Sequence, residues 1–176
     1  MIVLGWREWL GLPDLGIARL RAKVDTGARS SALHVDAQWR FIEGGAPWVG
    51  FRLTPRRAAD SACEALAPIR DEREVADSGG HRSLRVFIRT RLWLAGMERE
   101  IEINLVDRGA MRYPMLLGRT AMDGMFTVDP STSFRHARPP RHRAEATEVS
   151  LHTPDQRVRL AAAAPATEVQ PGTRAA

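Results

Sequence analysis

Leu20-Arg21-Ala22-Lys23-Val24-Asp25-Thr26-Gly27-Ala28 opens with a period of two: Leu20, Ala22 and Val24 alternate with Arg19, Arg21 and Lys23. Such alternation marks a half-buried strand. The strand stops at a carboxylate, a hydroxyl and a glycine, so Asp25 sits at the mouth of a tight loop. Gly27 lets the backbone approach closely, and the Thr26 hydroxyl can tie the loop to a neighbour. An Asp-Thr-Gly tripeptide alone is equally the composition of an ordinary strand-to-turn transition. Some ninety residues on, Tyr113-Pro114-Met115-Leu116-Leu117-Gly118-Arg119 reads as a second short apolar strand running into Gly-Arg.

Between these two segments the period stays near two. Trp39 and Phe41, then Trp48–Leu53, read as strands on either side of a Gly44-Gly45 turn. Val86, Ile88, Thr90, Leu92 and Leu94 form one arm of a hairpin, and Ile101, Ile103 and Leu105 the other, joined at Ala95-Gly96. Arginines of the first arm can then face Glu100 and Glu102 of the second. Residues 119–125 hold one or two helical turns, and Phe126–Val128 returns as a strand before Asp129-Pro130. Many short strands with one short helix near the C-terminal end predict an all-β domain, a small closed barrel or sandwich rather than a βαβ fold.

The composition changes after Phe134. Residues 136–176 are rich in Pro, Ala and Arg, with an alanine run at Ala161–Ala164 and few large apolar side chains. This segment reads as a disordered tail, and the folded domain as residues 1–135. The 176 residues carry a net charge of +5 and a pI near 10.7, which invites a nucleic-acid reading. Yet no window is a dense basic block, and Arg alternates with Glu and Asp throughout, so the expectation is no nucleic-acid partner. No apolar run approaches the length of a membrane span. The N-terminus lacks a secretory pattern, and Cys63 alone allows no internal disulfide. The default expectation is a cytoplasmic protein with no membrane partner.

Several longer stretches carry a resemblance to a known family. They are Gly5-Trp6-Arg7-Glu8-Trp9, Leu12-Pro13-Asp14-Leu15-Gly16, Ala22–Ala28 with Arg29-Ser30-Ser31-Ala32-Leu33-His34, Asp107-Arg108, Met111 to Arg119, and Val128-Asp129-Pro130-Ser131. Together they resemble the bacterial "ATP-dependent zinc protease" family, a retropepsin-like group associated with RimK-type ligases. The resemblance covers nearly all of residues 1–135. It implies a retropepsin-like barrel whose late strand passes beside the catalytic loop. It also implies an aspartic-type endopeptidase in which Asp25 is catalytic and Thr26 and Gly27 shape its loop. Ala28, Arg29, Leu117, Gly118 and Arg119 then lie along the substrate.

An aspartic peptidase needs two carboxylates sharing one proton, one activating a water and the other protonating the peptide. This chain has one Asp-Thr-Gly; Asp14, Asp36 and Asp129 do not recreate it. The expectation is a homodimer with one Asp25 from each copy, Thr26 bracing the loops across the axis. Arg29 departs from an ordinary retropepsin. It is readable as a cation that favours ionised carboxylates or recruits acidic substrate, or equally as a salt-bridge partner of Asp36 or Glu43. Association with glutamate-adding ligases implies acidic, glutamate-containing peptides as substrate. The glycine-tipped stretch Val75–His81, with Gly79 and Gly80, is readable as a covering flap or as a plain exposed turn.

No cofactor is expected. Lys23 lacks the glycines of a phosphate-cradling loop, and no His-Glu-x-x-His pair exists. His136, His142 and His152 have no ligand spacing that fits zinc, and His34 is expected to pack near the loop. Trp6, Trp9, Trp39, Trp48 and Trp93 are expected in the core and its rim rather than in a base-stacking platform. The rival readings are a non-catalytic peptide-binding module on the same fold, and a zinc-dependent peptidase as the family's name suggests.

Overall fold

The computed structural model describes residues 1–54, 62–77, 79–107 and 112–140. In chain order the strands are β1 (Ile2–Gly5), β2 (Arg7–Leu12), β3 (Ile17–Val24), β4 (Ser31–His34), β5 (Ala37–Glu43), β6 (Ala46–Leu53), β7 (Cys63–Pro68), β8 (Asp71–Ala76), β9 (Arg82–Leu94), β10 (Met97–Val106), β11 (Met115–Leu117) and β12 (Phe126–Asp129). One helical turn, α1 (Arg119–Met122), precedes β12, and a 3₁₀ turn at Pro13–Leu15 joins β2 to β3. The all-β expectation with one short helix holds.

The main sheet runs β10-β4-β11-β3-β2-β9-β8, and β9 also pairs with β10. Six strands therefore return on themselves as a barrel. Its seam between β2 and β9 is a single pair, Gly11 with Trp93, so closure there is loose. The inward positions of β2 and β3, Leu10, Leu12, Leu20 and Val24, meet Ile88, Leu92, Ile103 and Leu117 in one core. A three-stranded sheet, β5-β6-β7, packs alongside and sends Val49, Phe51 and Leu53 into that core.

Turn chemistry sets the hairpins. Gly44 and Gly45 both have positive φ, +56° and +79°, as a two-residue type I′ turn requires. Ala95-Gly96 joins β9 to β10 in the same way, and the register places Arg91 opposite Glu100 and Arg89 opposite Glu102. The ion pair that forms is diagonal, Arg89 to Glu100 at 3.3 Å.

The terminal segments are tied together. β1 pairs in parallel with β12, from Ile2–Phe126 to Gly5–Asp129. Trp6 N donates to Thr132 O, and Phe134 N donates to Arg7 O. The Glu8 carboxylate, fully buried, accepts hydrogen bonds from Gly5 N at 2.7 Å and Arg135 N at 3.1 Å. Of the segment read as a tail, residues 136–140 run on from this strap, with Arg19 Nε donating to Pro139 O at 2.7 Å. The remainder, 141–176, lies outside the described residues. Among the described residues no helix is long and apolar enough to cross a membrane.

Candidate active site

β3 and β4, the strands joined by the Asp25 loop, are not paired with each other. β11 lies between them, parallel to β3 (Met115–Ala22, Leu117–Val24) and antiparallel to β4 (Met115–Leu33, Leu116–Ala32). Alternation along β3 puts Leu20, Ala22 and Val24 inward, so the chain leaves the core at Asp25. The Asp25 N–H donates to Leu117 O at 2.9 Å. Leu117 is wholly buried, and its carbonyl rather than its side chain serves the loop.

Gly118 makes the next contact. A Cβ there would stand 2.5 Å from Ser30 C and 2.9 Å from Arg29 O, so only glycine lets β11 cross the loop this closely. Beyond it Arg119 N donates to Ala28 O at 2.9 Å, and Thr120 N and Oγ1 both reach Arg29 O. The Arg119 guanidinium, through Nη1, bonds Thr26 O at 3.0 Å and Gly27 O at 3.2 Å. The Gly-Arg that ends the late strand therefore holds the loop by its backbone.

A buried polar network lies beneath. Gly118 N donates to Ser31 Oγ at 3.0 Å. Asn104 Nδ2 donates to Ser31 O at 2.6 Å, and Asn104 Oδ1 accepts from Arg85 Nη1 at 3.1 Å. Ser31, Asn104 and Arg85 are all buried. Sequence reading missed these three. Alternation sets Asn104 on the face opposite Ile103 and Leu105, where exposure is expected, so the period carried no signal of its burial.

Asp25 is itself half-exposed. Its Oδ1 accepts hydrogen bonds from Gly27 N at 3.0 Å and Ala28 N at 3.2 Å. Among the described residues Oδ2 has no donor. One oxygen is fixed by the loop and the other faces out, the disposition of a group that can take or give a proton. Thr26 and Gly27 are exposed.

Arg29 is also exposed, and among the described residues it forms no ion pair. Asp36, one partner the sequence offered, accepts instead from Thr54 N at 2.6 Å and lies 3.8 Å from His34. Arg29 lines a cleft of about 550 Å³ with Ser30, Thr120, the floor of β9 and β10, and Arg73 to Ala76 of β8. β8 and the start of β9 form a hairpin with nearly every residue exposed; Leu84 is 63 % exposed. Its turn is closed by Asp77, whose carboxylate accepts from Gly79 N and His81 N, and Gly80 takes φ +83°. Gly79 and Gly80 sit at that tip, whereas the cleft is lined lower down, by Val75 and Ala76. Ser78 of this stretch, with Arg108 and Met111 of the resemblance, lies outside the described residues.

Among the described residues no group of three or more His, Cys, Asp or Glu is placed to hold a metal. His81 neighbours Asp77 on the β8–β9 hairpin, and His136 bonds Val3 O of β1 at 2.8 Å. His142 and His152 are not described.

Comparison with known proteins agrees with this architecture. A Legionella pneumophila protein of unknown function, known by crystal structure, superposes with a TM-score of 0.65 at 27% identity, covering 76% of this chain and 97% of that one. A probable alpha-L-glutamate ligase of Shewanella pealeana is 38% identical over 135 residues. One of Parasynechococcus marenigrum is 35% identical over 161 residues. The chain spans only 29% and 34% of those two proteins, about a third of their length. The model of the retropepsin-like aspartic endopeptidase RimB matches residues 3–139. With the Asp25 loop, the intervening late strand and this match in agreement, the chain belongs to the RimB-like family of retropepsin-like aspartic endopeptidases.

Proposed function

We propose that the chain is an aspartic endopeptidase working as a homodimer, each copy supplying one Asp25. The observation that carries this is the half-finished state of the loop. Asp25 Oδ2 lacks a donor among the described residues, and Thr26 and Gly27 beside it are exposed. Bringing a second Asp25 alongside creates two carboxylates that cannot both ionise cheaply, so they hold one proton between them. One then takes a proton from the attacking water while the other donates to the peptide oxygen. Thr26 of each copy braces the paired loops, the β8–β9 hairpin covers the peptide, and Ala28, Arg29 and Arg119 border it.

The substrate is an acidic, glutamate-containing peptide. Arg73 and Arg89 in the cleft are engaged by Glu102 and Glu100, which leaves Arg29 as the cation in that wall without an ion pair among the described residues. The ligase relatives, named for adding glutamate, support the same class.

The test is hydrolysis of a diverse peptide pool by wild type and Asp25→Asn across pH, with mass measured by sedimentation in parallel. Cleavage confined to the wild-type dimer is expected. A protein that stays monomeric and cuts nothing would make it a peptide-binding module. Arg29→Ala is expected to lower kcat/KM for acidic peptides about tenfold and leave neutral ones unchanged. An unchanged preference removes Arg29 from specificity.

A further inference from the structure

The outward face of β2 and β3 gathers positive charge that has no ion pair among the described residues. Register places Arg7 opposite Lys23 and Trp9 opposite Arg21, and alternation puts Arg19 on the same side. The strap crosses this face. Phe134 packs on Trp9 with ring centroids 5.8 Å apart, and the Arg138 guanidinium lies 4.7 Å over the Trp9 ring. Between them is a cavity of about 450 Å³ lined by Trp9, Arg21, Phe134, His136, Ala137 and Arg138, with no carboxylate in its wall. Among the described residues neither Arg19, Arg21, Lys23 nor Arg138 forms an ion pair. On other faces Arg40, Arg52, Arg73, Arg89 and Arg91 each find a carboxylate, whereas here four basic side chains gather with none among the described residues.

We propose that this face is an exosite for an acidic polypeptide segment in extended conformation. Strand rise sets outward side chains about 6.6 Å apart, so Arg19, Arg21 and Lys23 match alternate carboxylates of an extended peptide. The row ends two residues before Asp25, leading into the candidate active site. Guanidinium groups of Arg21 and Arg138 suit bidentate carboxylate binding, and the Trp9 and Phe134 rings border the pair with apolar surface. A nucleic acid is the poorer occupant. Arg138 already lies over the Trp9 ring, where a stacked base would have to sit. The choice of occupant rests on the reading of acidic peptides as substrate; the charge and the cavity do not.

The experiment measures binding of a labelled oligoglutamate peptide to the full chain carrying Asp25→Asn, by fluorescence anisotropy at low and at physiological salt. Arg21→Glu and Arg138→Glu are expected to weaken binding about fivefold each, and Arg70→Glu, an exposed control, less than about twofold. Equal effects from all three would reduce the exosite to general electrostatics and overturn it. So would tighter binding of a single-stranded oligonucleotide with the same arginine dependence. If either charge reversal disturbs folding, Arg21→Gln and Arg138→Gln carry the test. In the Asp25 protein the same changes are expected to raise KM for acidic peptides and leave kcat alone. Cleavage with unchanged KM sinks the exosite and leaves the peptidase. Absence of cleavage with arginine-dependent binding does the reverse.

Discussion

Replacing Gly118 by Ala tests the bracing of the Asp25 loop most directly. The added methyl would stand 2.5 Å from Ser30 C, 2.6 Å from Ser30 O and 2.9 Å from Arg29 O. Comfortable carbon contacts begin near 3.5 Å, so β11 and the start of β4 must part by about 1 Å. These are backbone atoms and cannot swing aside as a side-chain tip would. The cost belongs at the upper end of overpacking, about 3 kcal/mol, which lowers the melting temperature of a domain this size by roughly 10 °C. Gly27→Ala is the control: its methyl meets only Asp25 Oδ1, at 3.3 Å, and the melting point is expected to stay within about 2 °C of wild type. The two proteins are compared by thermal and urea unfolding. Because Leu117 O and Arg119 N flank Gly118 and hold Asp25 and Ala28, the displacement also reaches the site, and peptide hydrolysis is expected to fall about 100-fold. A Gly118→Ala protein that melts with the wild type would refute the close approach and the bracing argument with it.

Ser31→Ala leaves the buried Gly118 N–H without its acceptor; a loss of about 1–3 kcal/mol is expected in urea unfolding, and no loss means that another acceptor replaces the hydroxyl. Hydrogen bonds from the Ser131 hydroxyl and backbone, then from Thr132, with the Arg135 charge nearby, hold the Asp129 carboxyl below its usual 3.8. A depressed folded value contributes stability above the unfolded pKa that is lost as pH falls through the folded one. The advantage of wild type over Asp129→Asn should therefore be full at neutral pH and shrink below about pH 4; a gap constant from pH 7 to pH 2 contradicts the assignment.

Legibility in the sequence tracked the regularity of the inward face. β3, β6, β9 and β10 run for eight or more residues and each contains an alternating stretch, so each was readable, as were both two-residue turns. β2 was not, because its inward series begins with Glu8, a charge at a core position explained only by the backbone N–H groups of Gly5 and Arg135 that meet it. β8, Asp-Glu-Arg-Glu-Val-Ala, shows no period because it is exposed along its length. β4 and β7 are too short, and β7 buries only Ala65 and Ala67. Asp25 and the Gly118-Arg119 pair were visible as motifs; their meeting depends on β11 passing between β3 and β4, a contact across some ninety residues of chain. Arg85, Asn104 and Ser31 join through three strands, and no local pattern links them. The basic face of β2 and β3 was invisible to charge counting because it is diluted in sequence by paired arginines. Only register brings Arg21 beside Trp9, and only the strap adds Arg138.

The loop is held from one side. Arg119, Gly118 and Ser31 hold it through hydrogen bonds to its backbone and its neighbours, while among the described residues the Thr26 hydroxyl and Asp25 Oδ2 have no hydrogen-bond partner. Exposed loops in small domains are seldom braced so heavily unless their geometry is used. A self-sufficient single-chain site would need a second carboxylate free to approach Asp25. Asp14 is engaged by Arg91, Asp36 by Thr54 N, Asp129 by Ser131 and Arg135, and Glu8 is buried under the strap. None can reach Asp25 without breaking the contacts that hold its own segment. None of these four is free to serve a dyad within one chain, and the proposed homodimer supplies the second carboxylate instead. Dilution tests this separately from sequence: specific activity that falls with concentration below the dimer dissociation constant, and is restored by a tandem-linked chain, follows from a shared site. Activity independent of concentration, in a protein that sediments as a monomer, would place the second proton-transfer group within the chain itself.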